Sequence, residues 1–223
     1  MGGLFNAFVG AALALLLSTA GVGAVAKPVR ILALGDSLTA GYGLPEDQGF
    51  TRQLEKALKD KGYEVEVIDA GVSGDTTAGG LSRLDWALGD DPDVAVVELG
   101  ANDMLRGIDP AAVRANLDQI LARLTEEKIP TLLAGMVAAP NLGRAYADAF
   151  NAIYPDLARK YGVPLYPFFL EGAANRPELN QGDGIHPNAR GVTAIIDGIL
   201  PYVTRLLDAY AQRPTSSSGE QPS

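Results

Sequence analysis

Between residues 28 and 210, short apolar runs alternate with stretches in which apolar residues recur every third or fourth position. An unbroken apolar run suits a strand buried on both faces of a parallel sheet, and the wider spacing suits an amphipathic helix. The first run, 31–34, stops at Gly35-Asp36-Ser37. Phe50, Leu54 and Leu58 then predict a helix that Gly62 ends. Val65, Val67 and Ile68 predict a second strand closing at Asp69-Ala70-Gly71, and a glycine-rich turn covers 71–76. Leu81, Leu84 and Leu88 mark one helix, and 94–99 a third strand ending at Gly100-Ala101-Asn102-Asp103. Asp109-Pro110 reads as cap and first helical residue, with Val113, Leu117, Ile120 and Leu124 as the buried stripe.

A fourth strand is expected at 131–136, one helix from about 146 to 160, and a short fifth strand at 163–166. Residues 167–187 read as a long irregular connection. The pattern from 188 to 210 is helical again, with Pro201 expected to kink or split it. Repeated strand–helix units predict an α/β fold, a flavodoxin-like three-layer α/β/α sandwich with a central five-stranded parallel sheet. One domain is expected over 27–210, with no internal repeat.

The ends of the chain differ from this pattern. Residues 1–26 carry no charge, are most apolar over 8–17, and finish in Ala24-Val25-Ala26. That is how a secretory signal peptide ends, so cleavage after Ala26 and a periplasmic or secreted chain without stable membrane insertion are expected. The start lacks the usual basic residues, and a retained anchor is the competing reading. Residues 211–223 are expected to be a disordered tail.

Composition narrows the chemistry. The formal charge of −9 leaves no basic stripe for a nucleic-acid partner. There is no cysteine and one histidine, His186, so no thiolate metal site is possible and any imidazole chemistry runs through that residue. No cofactor or metal is expected.

In open parallel sheets, chemistry sits beyond the carboxyl ends of the strands. Four loops there hold Ser37, Gly74, Asn102, and Asp183 with His186. Taken singly, each has a plain reading: Ser37 a turn or cap, Gly74 a turn glycine, Asn102 a helix cap, Asp183 a capping carboxylate, His186 a loop residue. Together they supply what acyl transfer to serine needs. Histidine can take the hydroxyl proton of Ser37. Asp183, three residues earlier, can hold the imidazole in the right tautomer. The N–H groups of Ser37 and Gly74 and the amide of Asn102 can meet an oxyanion. Asp36, Asp75 and Asp103 read as loop supports that accept backbone N–H groups.

At this point Gly35-Asp36-Ser37-Leu38, Gly74, Gly100-Ala101-Asn102-Asp103 and Asp183-Gly184-Ile185-His186-Pro187 resemble the four blocks of the GDSL, or SGNH, hydrolase superfamily. Ser73-Gly74-Asp75-Thr76, Ala149-Phe150-Asn151-Ala152-Ile153-Tyr154-Pro155 and Val163-Pro164-Leu165-Tyr166-Pro167 are similar to its thioesterase, lysophospholipase and arylesterase branch. The resemblance implies Ser37 as nucleophile, His186 as base, Asp183 as its partner, and Ser37, Gly74 and Asn102 as oxyanion hole. It implies a small acyl ester or thioester as substrate; a monomer is expected. A carbohydrate O-deacetylase, or a binding protein that has lost turnover, are the alternatives. A shallow groove is expected, walled by 38–45, 75–85, 103–108 and 138–146. Activity should rise with pH through the imidazole range and then level off.

Overall fold

The computed structural model describes residues 27–213. The expected signal segment and residues 214–223 of the expected tail lie outside them. Five parallel strands, β1 (Val29–Gly35), β2 (Val65–Gly71), β3 (Val94–Glu98), β4 (Thr131–Ala134) and β5 (Leu165–Tyr166), form one sheet in the order β2-β1-β3-β4-β5. This is the flavodoxin-like order, which reverses direction between β1 and β3.

The pattern of side chains follows position in the sheet. On β1, Ile31, Leu32, Ala33 and Leu34 are all buried, as is every residue of β3. Burying each large apolar side chain of such a strand contributes about 1.5–3 kcal/mol. The edge strand β2 instead alternates, with Val65 and Val67 buried and Glu66 exposed. The helices are α1 (Ser37–Ala40), α2 (Phe50–Asp60), α3 (Thr77–Ser82), α4 (Leu84–Leu88), α5 (Ala101–Leu105), α6 (Pro110–Glu126), α7 (Arg144–Asn151), α8 (Ile153–Tyr161) and α9 (Ala189–Ala211). α2 and α9 pack against each other in one layer, and α3, α6, α7 and α8 make up the other. Asp109 caps α6 through the Ala111 N–H, as its Asp-Pro start predicts.

Several boundaries differ from expectation. The single helix over 81–88 is two helices that break at Arg83. Its guanidinium turns inward to Asp75 Oδ2 (2.6 Å) and to the Gly35 carbonyl (2.8 Å). The helix over 146–160 also divides, at Ala152. Pro155 has no N–H to give to the Asn151 carbonyl, so the ladder cannot run through. Pro201, by contrast, does not split α9. Pro201 itself is exposed, while Ile195, Ile196 and Ile199 before it and Val203, Leu206 and Leu207 after it are all buried. One packed face on both sides holds the two halves in a single helix. α9 also runs one residue into the expected tail.

Candidate active site

The carboxyl end of β1 is shaped by three side chains. Asp36 caps α1, its Oδ1 accepting the Leu38 N–H at 3.0 Å. Ser37 is thereby the first residue of a one-turn helix, nearly buried, with an N–H that makes no hydrogen bond among the described residues. A first-turn N–H has no intrahelical acceptor and is free for a ligand. Beneath it, Glu98 at the end of β3 accepts the Thr39 hydroxyl (2.8 Å) and the Asp36 N–H (3.3 Å) on Oε2.

His186 reaches Ser37 from the far end of the chain. Its Nε2 lies 3.0 Å from Ser37 Oγ, and its Nδ1 lies 2.7 Å from Asp183 Oδ2. The other carboxylate oxygen, Asp183 Oδ1, accepts the N–H groups of Ile185 and His186, both at 3.0 Å. The His186 contact and these two N–H groups hold the Asp183 carboxyl down to about 2. It therefore stays ionised at any pH where a histidine base could work. The Tyr42 ring lies over the imidazole, with centroids 4.6 Å apart.

Gly74 and Asn102 come from the ends of β2 and β3. Gly74 has φ +86°, a left-handed conformation that favours glycine, and its N–H is also unbonded among the described residues. Asn102 donates one amide hydrogen to Asp36 Oδ2 (3.0 Å), which leaves the second available. Two contacts tie their loops together. Asp103 accepts both the N–H and the hydroxyl of Thr77 (2.8 and 2.7 Å), and Arg106 donates to the Gly74 carbonyl at 2.7 Å. Asp36 and Asp103 thus support loops through backbone N–H groups as expected. Asp75 does not: it pairs with Arg83.

The Asp36–Glu98 pair has an electrostatic consequence. Burial pushes Asp36 up to about 6, against the Leu38 N–H and the Asn102 amide. Burial, helped by the neighbouring Asp36 charge, pushes Glu98 well above the carboxylate range. The folded protein therefore keeps protons that the unfolded chain releases above about pH 4.5 for Glu98 and 3.8 for Asp36. The native state then binds more protons, so this pair lowers stability as pH rises from those values. Glu98→Gln removes one share of that loss. The melting temperature of the variant relative to wild type should improve as pH rises above 4.5. Parallel melting curves across that range would contradict a protonated Glu98.

Beside Ser37 lies a cavity of about 510 Å³. That volume is within the size range of small-molecule sites. Leu38, Met104, Leu105 and 138–140 line it as expected, whereas 75–85 do not. Met136, Phe168, Leu170, Ala174 and Ile185 line it instead, together with Val137. Most of these residues fall in the irregular connection 167–187. Its length was the signal, because structureless loops of that size are uncommon unless functional. Among the described residues, no three or more His, Cys, Asp or Glu side chains cluster as metal ligands.

Comparison with known proteins follows the same lines. A family model described as the GDSL-like Lipase/Acylhydrolase family matches residues 33–194. The arylesterase of Vibrio mimicus is 41% identical over 159 residues, 71% of this chain and 80% of the relative. The thioesterase 1/protease 1/lysophospholipase L1 of Escherichia coli strain K12 is 40% identical over 179 residues, 80% of this chain and 85% of that one. Among solved structures, AlinE4, an SGNH-hydrolase family esterase, is 49% identical with a TM-score of 0.70, covering 82% of this chain and 99% of its own.

Proposed function

The chain belongs to the GDSL-like lipase/acylhydrolase family and is an ester hydrolase, and on that premise we propose that it cleaves acyl esters and thioesters through an acyl-enzyme on Ser37. In this reading His186 Nε2 takes the Ser37 Oγ proton as Oγ attacks the acyl carbon. The resulting oxyanion is met by the N–H groups of Ser37 and Gly74 and by Asn102 Nδ2. As the tetrahedral intermediate collapses, His186 returns the proton to the departing alcohol or thiol. Water then repeats the sequence on the acyl-serine and releases the acid. Asp183 holds the ring and balances the charge of the imidazolium. The observation that carries this reading is the Ser37–His186–Asp183 line at the edge of an apolar cavity.

The relatives' names point to aryl esters, thioesters and lysophospholipids, and the apolar wall of Met104, Phe168 and Leu170 suits an acyl chain. A sugar deacetylase fits less well. Trp86, the sole tryptophan, is exposed on α4 and is not among the residues lining the cavity. Residues 1–26 serve in this reading as an export signal cleaved after Ala26. The mass of the mature protein recovered from outside the cytoplasm tests that cleavage. Among the described residues, no helix is long and apolar enough to cross a membrane.

The test of substrate class is a p-nitrophenyl ester series from acetyl to palmitoyl. Turnover should peak at medium or longer chains, because each methylene placed in an apolar pocket contributes about 1–3 kcal/mol to discrimination. Cleavage confined to acetate would replace the acyl-chain reading with the deacetylase.

A further inference from the structure

Asp183 and His186 share one loop, so their mutual geometry is local. The distance from His186 to Ser37 is not local: it depends on how that loop docks against the segment after β1. The loop is closed at its base by an antiparallel bridge between Asn180 and Pro187. Gln181 stands at this neck. Its N–H donates to the His186 carbonyl at 2.7 Å, and its own carbonyl accepts the Gly184 N–H at 3.0 Å. Its side chain joins the base of the loop to the segment after β1. Nε2 donates to the Tyr42 carbonyl (2.7 Å) and to the Pro187 carbonyl (3.0 Å), which uses both amide hydrogens and fixes the orientation of the amide.

Tyr42 in turn donates its N–H to the carbonyl of Ser37 at 3.0 Å. An unbroken relay of hydrogen bonds thus runs from the backbone of Ser37, through Tyr42 and Gln181, to the backbone of His186. The fit at the junction is close: a Cβ on Gly43 would stand 2.3 Å from Gln181 Oε1. The relay also sets Tyr42 where its ring covers the imidazole.

We propose that Gln181 is a positioning residue, whose side-chain amide docks the Asp183–His186 loop on the Ser37 segment and so sets the Ser37–His186 distance. The proposal rests on Ser37 and His186 acting as nucleophile and base. Gln181 is not among the residues lining the cavity, and its side chain donates only to the Tyr42 and Pro187 carbonyls. Its contribution is geometric, and misplacement of about 1 Å by a residue outside the chemistry can cost about 100-fold in rate.

The experiment uses the full chain with Gln181→Met, which keeps the bulk and removes both donors, and Gln181→Glu, which keeps the shape. Each is compared with wild type for kcat, KM, melting temperature and rate of labelling by a fluorophosphonate. For Gln181→Met we expect kcat and labelling to fall together, by about 10- to 100-fold, with KM within about threefold. For Gln181→Glu the deficit relative to wild type should grow as pH rises through the carboxylate range, because the protonated acid keeps one donor and the carboxylate keeps none. A purely structural role would lower the melting temperature and would move neither the labelling rate of folded protein nor this pH dependence. If either variant folds and labels at the wild-type rate, Gln181 does not position the base. If wild type itself is neither labelled nor active, the serine mechanism fails, and that outcome is distinct.

Discussion

Ser37→Ala is expected to lower turnover of a medium-chain p-nitrophenyl ester by about 10,000- to 1,000,000-fold and to leave the fold intact. The size follows from the way a nucleophile and its base act as a unit, since losing either alone removes nearly all of their joint effect. The fold should survive because Ser37 Oγ has His186 as its one hydrogen-bond partner among the described residues. Asp36, not Ser37, caps α1, and alanine is the better helix former. The check is a steady-state rate on purified variant beside its melting curve. A residual rate above about 1% of wild type in a folded variant would show that another group attacks the ester.

Asp183→Asn should cost nearly as much, about 10,000-fold in kcat. The substituted amide keeps one oxygen to accept the N–H groups of Ile185 and His186, so the loop should hold. What is lost is the charge facing Nδ1, and with it the preference for the tautomer that leaves Nε2 free to take a proton. The pH profile of wild type carries a related expectation. The Asp183 pKa is held down to about 2, so this carboxylate supports the folded site above its ordinary value of 3.8 and loses that support only as pH falls toward 2. Loss of activity on acidification to pH 4 should therefore not come from Asp183. A step in the profile of kcat/KM between pH 4 and 8 that is abolished in Asp36→Asn, with chemistry rate-limiting, would assign that step to Asp36, which burial raises to about 6 and which accepts from the Asn102 amide.

Much of this architecture was legible because the sheet imposes simple rules. The runs at 31–34 and 94–99 are continuous because both sides of those strands are covered, and this also places Ser37 and Asn102 at the strand ends. A single histidine made His186 the one available imidazole. The breaks at Arg83 and Ala152 illustrate two different kinds of miss. Pro155 stands in plain view, and its missing N–H should have divided that helix. Arg83 interrupts its helix for a tertiary reason, a partner in the preceding loop and a carbonyl on β1, which leaves no mark on local spacing. The cavity wall at 168–174 was missed because an irregular segment has no period to read. Gln181 is one polar residue in a polar loop, and only its two carbonyl partners distinguish it.

The placement of His186 has a consequence for the order in which the protein becomes active. Ser37 and His186 are 149 positions apart, and the loop carrying the base leads directly into α9, which packs on α2. A parallel sheet joined by such distant contacts is slow to assemble. A chain still being synthesised holds Ser37 early but brings His186 to it only when α9 follows and docks. On the proposed mechanism, partly made or partly folded copies therefore lack the Ser37–His186 pair and hydrolyse no ester until the molecule is complete.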